Sequence, residues 1–174
     1  SWAWWAIVVL PLVLPASLVG IGLIILATKY NLHNFYGSIW MPVLAALSRF
    51  SPLAVIIILA RLKRIDNALI DAKNIYQRNE FLGWFKVKFL MVLPAMIFAG
   101  FLVFILSLGE LAATIIVTPA GHSTLTIKIY NYLHYGASGE VAGLCLFIAT
   151  IILTAGFFAV LFLLSRRYFI KRIG

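Results

Sequence analysis

The chain has 174 residues, 64% of them hydrophobic and 11% charged, with a formal net charge of +9. A water-soluble domain of this length cannot hide so much apolar surface in one core, which excludes that class. The positive charge is a topology signal rather than a nucleic-acid footprint. Arg61, Lys63, Arg64, Lys73, Arg78, Lys86 and Lys88 share one polar break, and Arg166, Arg167, Lys171 and Arg172 follow the last apolar run. Only Lys29 and Lys128 fall in the two opposite loops. This bias assigns the break and the C-terminus to the cytoplasm, and no basic-aromatic motif for nucleic acid accompanies it.

In chain order, residues 6–27 are uncharged and long enough for the roughly 20-residue helix that crosses hydrocarbon. Trp2, Trp4 and Trp5 ahead of them suit the headgroup layer. Pro11, Pro15, Gly20 and Gly22 predict a first span that bends or packs closely on a neighbour. A short external loop from Thr28 to Ser38 leads to the second span, 39–59, which Pro42 and Pro52 predict to be kinked. The polar break, 61–88, is amphipathic: Ile65, Leu69, Ala72 and Tyr76 recur at helical intervals, with Asp66 as a cap. Asn79 offers a second cap before Phe81, Leu82, Trp84 and Phe85. The pattern reads as two short helices joined by a turn, either a docking knob or a basic loop resting on anionic lipid.

The third span, 89–117, passes Pro94, Gly100 and Glu110. In the external loop, 118–140, Leu125, Ile129, Tyr132 and Leu133 fall at helical spacing and predict an amphipathic surface helix. Gly139 and Gly143 form a small-xxx-small pair before the last span, 141–164, and a cationic tail closes the chain. Lipid offers no partner to a backbone amide, and the runs lack the alternation of a barrel. The expected fold class is therefore all-α, a single polytopic helical membrane domain over 1–174, read as the C-terminal part of a longer protein.

The break carries Asp71-Ala72-Lys73, then Gln77, then Val87-Lys88-Phe89-Leu90. In register, this resembles the cytoplasmic loop of the inner-membrane permease subunits of binding-protein-dependent ABC importers, which reads Glu-Ala-Ala, Gly, then Ile-x-Leu-Pro. The letters depart: Asp stands for Glu, Lys73 for the second Ala, Gln77 for the turn Gly, and Leu90 for the first Pro. Leu10-Pro11-Leu12-Val13-Leu14-Pro15, Arg49-Phe50-Ser51-Pro52, Leu108-Gly109-Glu110-Leu111 and Leu133-His134-Tyr135-Gly136-Ala137 are similar to the ferric-iron branch of that family.

The resemblance covers nearly the whole chain. It implies a permease core in a bacterial inner membrane, paired with a second core as a homodimer, a heterodimer or a same-chain duplicate. It also implies two cytoplasmic ATPase subunits that bind ATP and Mg, and an extracytoplasmic solute-binding protein. Ferric iron is the expected solute, with thiamine, phosphonate or polyamine as alternatives. Asp71, Ala72, Lys73, Tyr76, Gln77, Asn79, Phe81 and Leu82 would be the ATPase-coupling residues. No cofactor is expected in this chain.

Arg49 lies ten residues from Leu59, roughly 15 Å below that edge, near the bilayer midplane. A charge there needs water or a partner, so Arg49 either lines the translocation path or grips a neighbouring helix. Glu110, the other tentative path residue, lies sixteen residues past Pro94, roughly 24 Å from the same edge along a straight helix. That depth weighs against a direct pair unless Arg49 stretches or the helices slant. His33, His122 and His134 share no helical turn with a carboxylate, so no metal site is expected. Cys145 is a lone thiol in an apolar run, which gives no disulfide or thiol-metal pattern. An integral-membrane enzyme would need a polar constellation that is missing here, and no phosphate-binding glycine loop occurs. A non-transporting scaffold subunit is the remaining class, to be recognised by spans free of kinks and buried charge.

Overall fold

The computed structural model describes residues 2–32, 34–65, 80–136 and 138–173, with the side chains of 80–87, 138 and 162–173 left aside. Among these residues there are seven helices and no strand: α1 (Trp2–Val13), α2 (Ala16–Lys29), α3 (Trp40–Leu62), α4 (Glu80–Leu108), α5 (Thr114–Val117), α6 (Leu125–Tyr135) and α7 (Ser138–Ile173). Among the described residues, three single helices are long and apolar enough to cross a membrane: Trp40–Leu62, Lys88–Leu108 and Gly139–Leu161. The protein is thus an all-α, multi-pass membrane protein.

The antiparallel pair α3 and α4 is the spine, with α1 against α3, and α7 against α4 and α6. Both prolines of α3 are buried. Pro42 sits in the first turn, where a missing amide costs nothing, whereas Pro52 lies in the interior. At one end of the spine Arg61 Nε donates to the Met91 carbonyl oxygen at 3.4 Å, joining the last turn of α3 to α4. Lys63 lies 5.5 Å from the ring centroid of Trp5. This cation–π contact brings the start of α1 to the same end.

The first span is not one helix. α1 and α2 meet at a 102° bend around Leu14 and Pro15. Twelve and fourteen residues give roughly 18 and 21 Å of helix, so neither half crosses hydrocarbon alone. Pro15 supplies no amide to continue α1, and it precedes the first turn of α2, where none is needed. The size of the bend follows from packing: α2 turns across the spine and lies on α5 and α3. Ala27, Met41, Ala45, Ala113 and Val117 are buried there, flanked by Ala16, Leu23, Ile24 and Ile116. Small residues let these backbones approach closely, as membrane helix interfaces require.

The expected third span also divides. α4 stops at Leu108, and the chain turns before the single-turn helix α5. At the other end α4 begins at Glu80, so the second of the two short helices expected in the polar break is the first part of a continuous α4. In the loop that follows, α6 forms as expected but faces differently: Ile127 is its buried residue, while Leu133, placed on the apolar stripe, is 63% exposed. Thr124 caps α6 by accepting from the Ile127 amide at 3.3 Å. Gly136, at φ 83°, closes it in the left-handed conformation that favours glycine. Thr126 Oγ1 donates to the Leu108 carbonyl at 2.6 Å, satisfying an orphan acceptor at the end of α4. α7 continues to Ile173, so the cationic tail extends the last span as helix.

Gly20 marks the tightest crossing. A β-carbon there would lie 3.1 Å from the Ala113 carbonyl oxygen and 3.3 Å from Ile116 Cβ, whereas one at Gly22 meets nothing within 4 Å. Gly20→Val is therefore expected to destabilise the fold by about 1–3 kcal/mol through overpacking, beyond the effect of Gly22→Val. Unfolding midpoints of the two variants in detergent measure the difference; equal midpoints would contradict the close crossing of α2 and α5.

Candidate functional site

Two charges predicted at membrane depth meet. Arg49 Nη1 stands 3.3 Å from Glu110 Oε2, with the Arg49 side chain 24% exposed and that of Glu110 7% exposed. Counting depth along straight helix axes missed this by roughly 9 Å, the difference between about 24 and 15 Å. Side chains on a helix tilt toward its N-terminus. For α3 that direction leads away from Arg61 and toward Glu110, so the long guanidinium reaches outward. The end of α4 also tightens, with the Gly109 amide bonded to Leu106 at 3.2 Å and the Glu110 amide to Ser107 at 3.3 Å. These i→i+3 bonds turn the chain back and bring the carboxylate to meet the cation.

Each carboxylate oxygen of Glu110 has its own task. Oε1 accepts the Ala113 amide at 2.9 Å, which caps the turn leading into α5. Thr114 Oγ1 donates to the Glu110 carbonyl at 2.6 Å. Oε2 faces Arg49, but Nη1 is buried and makes no hydrogen bond, because its N–H directions are not aligned with the carboxylate. The contact is therefore an ion pair by distance and Coulombic attraction, without the added strength of an aligned charge-assisted hydrogen bond. Phe50 supplies a second, weaker neighbour, with the guanidinium carbon 5.6 Å from its ring centroid.

The pair joins α3 to the α4–α5 turn at a depth where an isolated charge would be costly. It latches two elements together. Sequence reasoning named both residues but not the cap at Ala113, for which the spacing of Glu110 and Ala113 after Gly109 is the available signal. Of the proposed coupling residues, Asp71, Ala72, Lys73, Tyr76, Gln77 and Asn79 lie outside the described residues. Phe81 and Leu82 fall in the first turn of α4. Among the described residues no group of three or more His, Cys, Asp or Glu side chains could hold a metal ion. Cys145 is exposed on α7.

Removing one charge strands the other. Arg49→Leu leaves Glu110 buried and unpaired and is expected to cost about 3 kcal/mol. Glu110→Gln keeps an acceptor for the Ala113 amide and should cost less. The double variant is expected to fall short of the sum of the single losses by about 1 kcal/mol or more in detergent unfolding. Additive losses would mean that the two side chains merely lie side by side.

No protein-family model matches the chain. Among curated proteins, it is 26% identical over 168 residues to PhnV of Salmonella paratyphi A, whose name provisionally assigns it as a 2-aminoethylphosphonate transport system permease protein. That match covers 95% of this chain and 59% of PhnV. It is also 25% identical over 155 residues to PotI of Escherichia coli K12, named a putrescine transport system permease protein, covering 86% of this chain and 54% of PotI. The chain thus spans little more than half the length of these relatives. Neither name mentions iron, so the ferric-iron expectation draws no support from them, whereas phosphonate and polyamine were among the alternatives. Over nearly its whole length the chain resembles the inner-membrane permease subunits of ABC importers.

Proposed function

We propose that this chain is part of a permease subunit of an ATP-driven, binding-protein-dependent importer. The observation that carries the reading is the similarity to two permease proteins over 95% and 86% of a chain whose charges in apolar runs, Arg49 and Glu110, form a buried pair. A non-transporting scaffold is expected to have spans free of kinks and buried charge, whereas here α1 and α2 bend by 102° and Arg49 meets Glu110 inside the bundle. The names of the relatives favour a small phosphonate or polyamine as solute. Both are polar, and a polar solute needs a protein-lined path through hydrocarbon.

In this reading the chain is multi-pass in the bacterial inner membrane, with 61–88 and the C-terminus in the cytoplasm, as the charge bias argues. Two ATPase subunits bind ATP and Mg and press on the segment from Asp71 to Leu82. A solute-binding protein delivers cargo from the opposite side, and a second permease core completes the path. Closure of the ATPase dimer moves the segment, and α4, a continuous helix from Glu80 to Leu108 with Pro94 inside it, carries that displacement toward Glu110. The ion pair then transmits it to α3.

Asp71→Lys together with Ala72→Glu is expected to weaken co-purification of the permease with its ATPase and to lower solute-stimulated ATP hydrolysis, while leaving membrane insertion intact. Unchanged assembly and transport would remove the coupling assignment.

A further inference from the structure

A cavity of ≈ 510 Å³ opens between α3, α4 and the start of α6. That volume lies in the range of ligand-sized pockets, roughly 300–1,000 Å³. Pro42, Val43 and Leu47 form one wall, and Gly100, Val103 and Phe104 the other. Four hydroxyl-bearing residues line it: Ser107, Thr114 and Thr126 donate to the backbone carbonyls of Val103, Glu110 and Leu108 respectively, and Thr124 Oγ1 accepts the Ile127 amide. Apart from Thr124 at the mouth, the surface that remains is hydrocarbon, unsuited to a polar solute. From Gly100 to Leu108 the α4 wall runs about 12 Å, most of the roughly 15 Å depth of one leaflet.

The mouth has a different chemistry. Thr124 and Leu125, at the N-terminal end of α6, line it. Lys128 stands one turn beyond Thr124, its amide bonded to the Thr124 carbonyl at 3.0 Å, and it is exposed. Residues four apart share a helix face, and the tilt of side chains toward the helix N-terminus aims Lys128 back over Thr124. A cation and a helix N-terminus together favour an anionic oxygen at this opening.

We propose that the cavity is a phospholipid site: one acyl chain lies between α3 and α4, and the phosphate rests at the α6 N-terminus beside Lys128. The charge at the mouth selects a phosphate-bearing lipid over a neutral diacylglycerol, and a lipid held there braces the spine beside the α4–α5 turn. The site requires only that the helices lie in a bilayer, and it stands or falls separately from the transport assignment.

Gly100 offers a clean test, because it lines the cavity and a β-carbon there meets nothing within 4 Å. The full-length permease in its assembled complex is delipidated in detergent and titrated with phosphatidylglycerol or with diacylglycerol of the same chains, and bound lipid is counted by native mass spectrometry. One phosphatidylglycerol should be retained in preference to diacylglycerol. Gly100→Leu should abolish that retention, and the exposed Lys128→Ala should weaken it about fivefold and erase the preference for phosphate. Unchanged lipid counts in both variants would overturn the proposal. So would release of a protein subunit by Gly100→Leu with lipid retention unchanged, which would identify the occupant as a helix of a partner.

Discussion

The Glu110 carboxylate is where the fold is tied together. With one oxygen it caps the turn that starts α5, and with the other it faces a cation on α3, so a single buried group fixes both the end of α4 and its relation to the neighbouring span. In hydrocarbon neither task can be left to water. Each charge offsets part of the desolvation cost of burying the other. The close crossing of α2 over α5 depends in turn on that cap, because Gly20 packs against the Ala113 carbonyl, the residue whose amide Glu110 holds.

Much of this architecture is legible in the residues. Length and hydropathy are enough to find α3, the membrane part of α4 and α7, because a helix that must satisfy its own backbone in lipid needs a run of fixed minimum length. The helix in the outer loop is visible from periodicity, and the structure sets its limits at Thr124 and Gly136. Its orientation is not, since the choice of Ile127 over Leu133 as the buried residue depends on the end of α4, to which Thr126 is bonded. Arg49 and Glu110 stand out as charges in apolar runs. Their pairing was obscured by counting along axes, which ignores the length and direction of an arginine side chain and the tightening after Leu108.

The first span shows the opposite limit. Two prolines and two glycines announce a bend, but a proline kink alone is compatible with a helix that continues across the bilayer. The 102° turn exists because α2 finds a better surface across α5 and α3 than along the bilayer normal. Small residues are the local sign of that surface: Gly20 and Ala27 on α2, Ala45 on α3, and Ala113 beside α5. Which of the many small residues in such a chain meet is a tertiary fact.

The break at Leu14 and Pro15 has a bearing on how the bundle sits among its neighbours. Both residues are exposed, and the backbone there is neither helix nor strand. Its polar groups are largely satisfied within the chain, the Leu14 amide donating to the Leu10 carbonyl at 3.1 Å and the Pro15 carbonyl accepting from Leu18 at 3.0 Å and Val19 at 3.4 Å. The elbow is therefore held by its own backbone bonds and does not depend on a covering neighbour or on water to exist beside acyl chains.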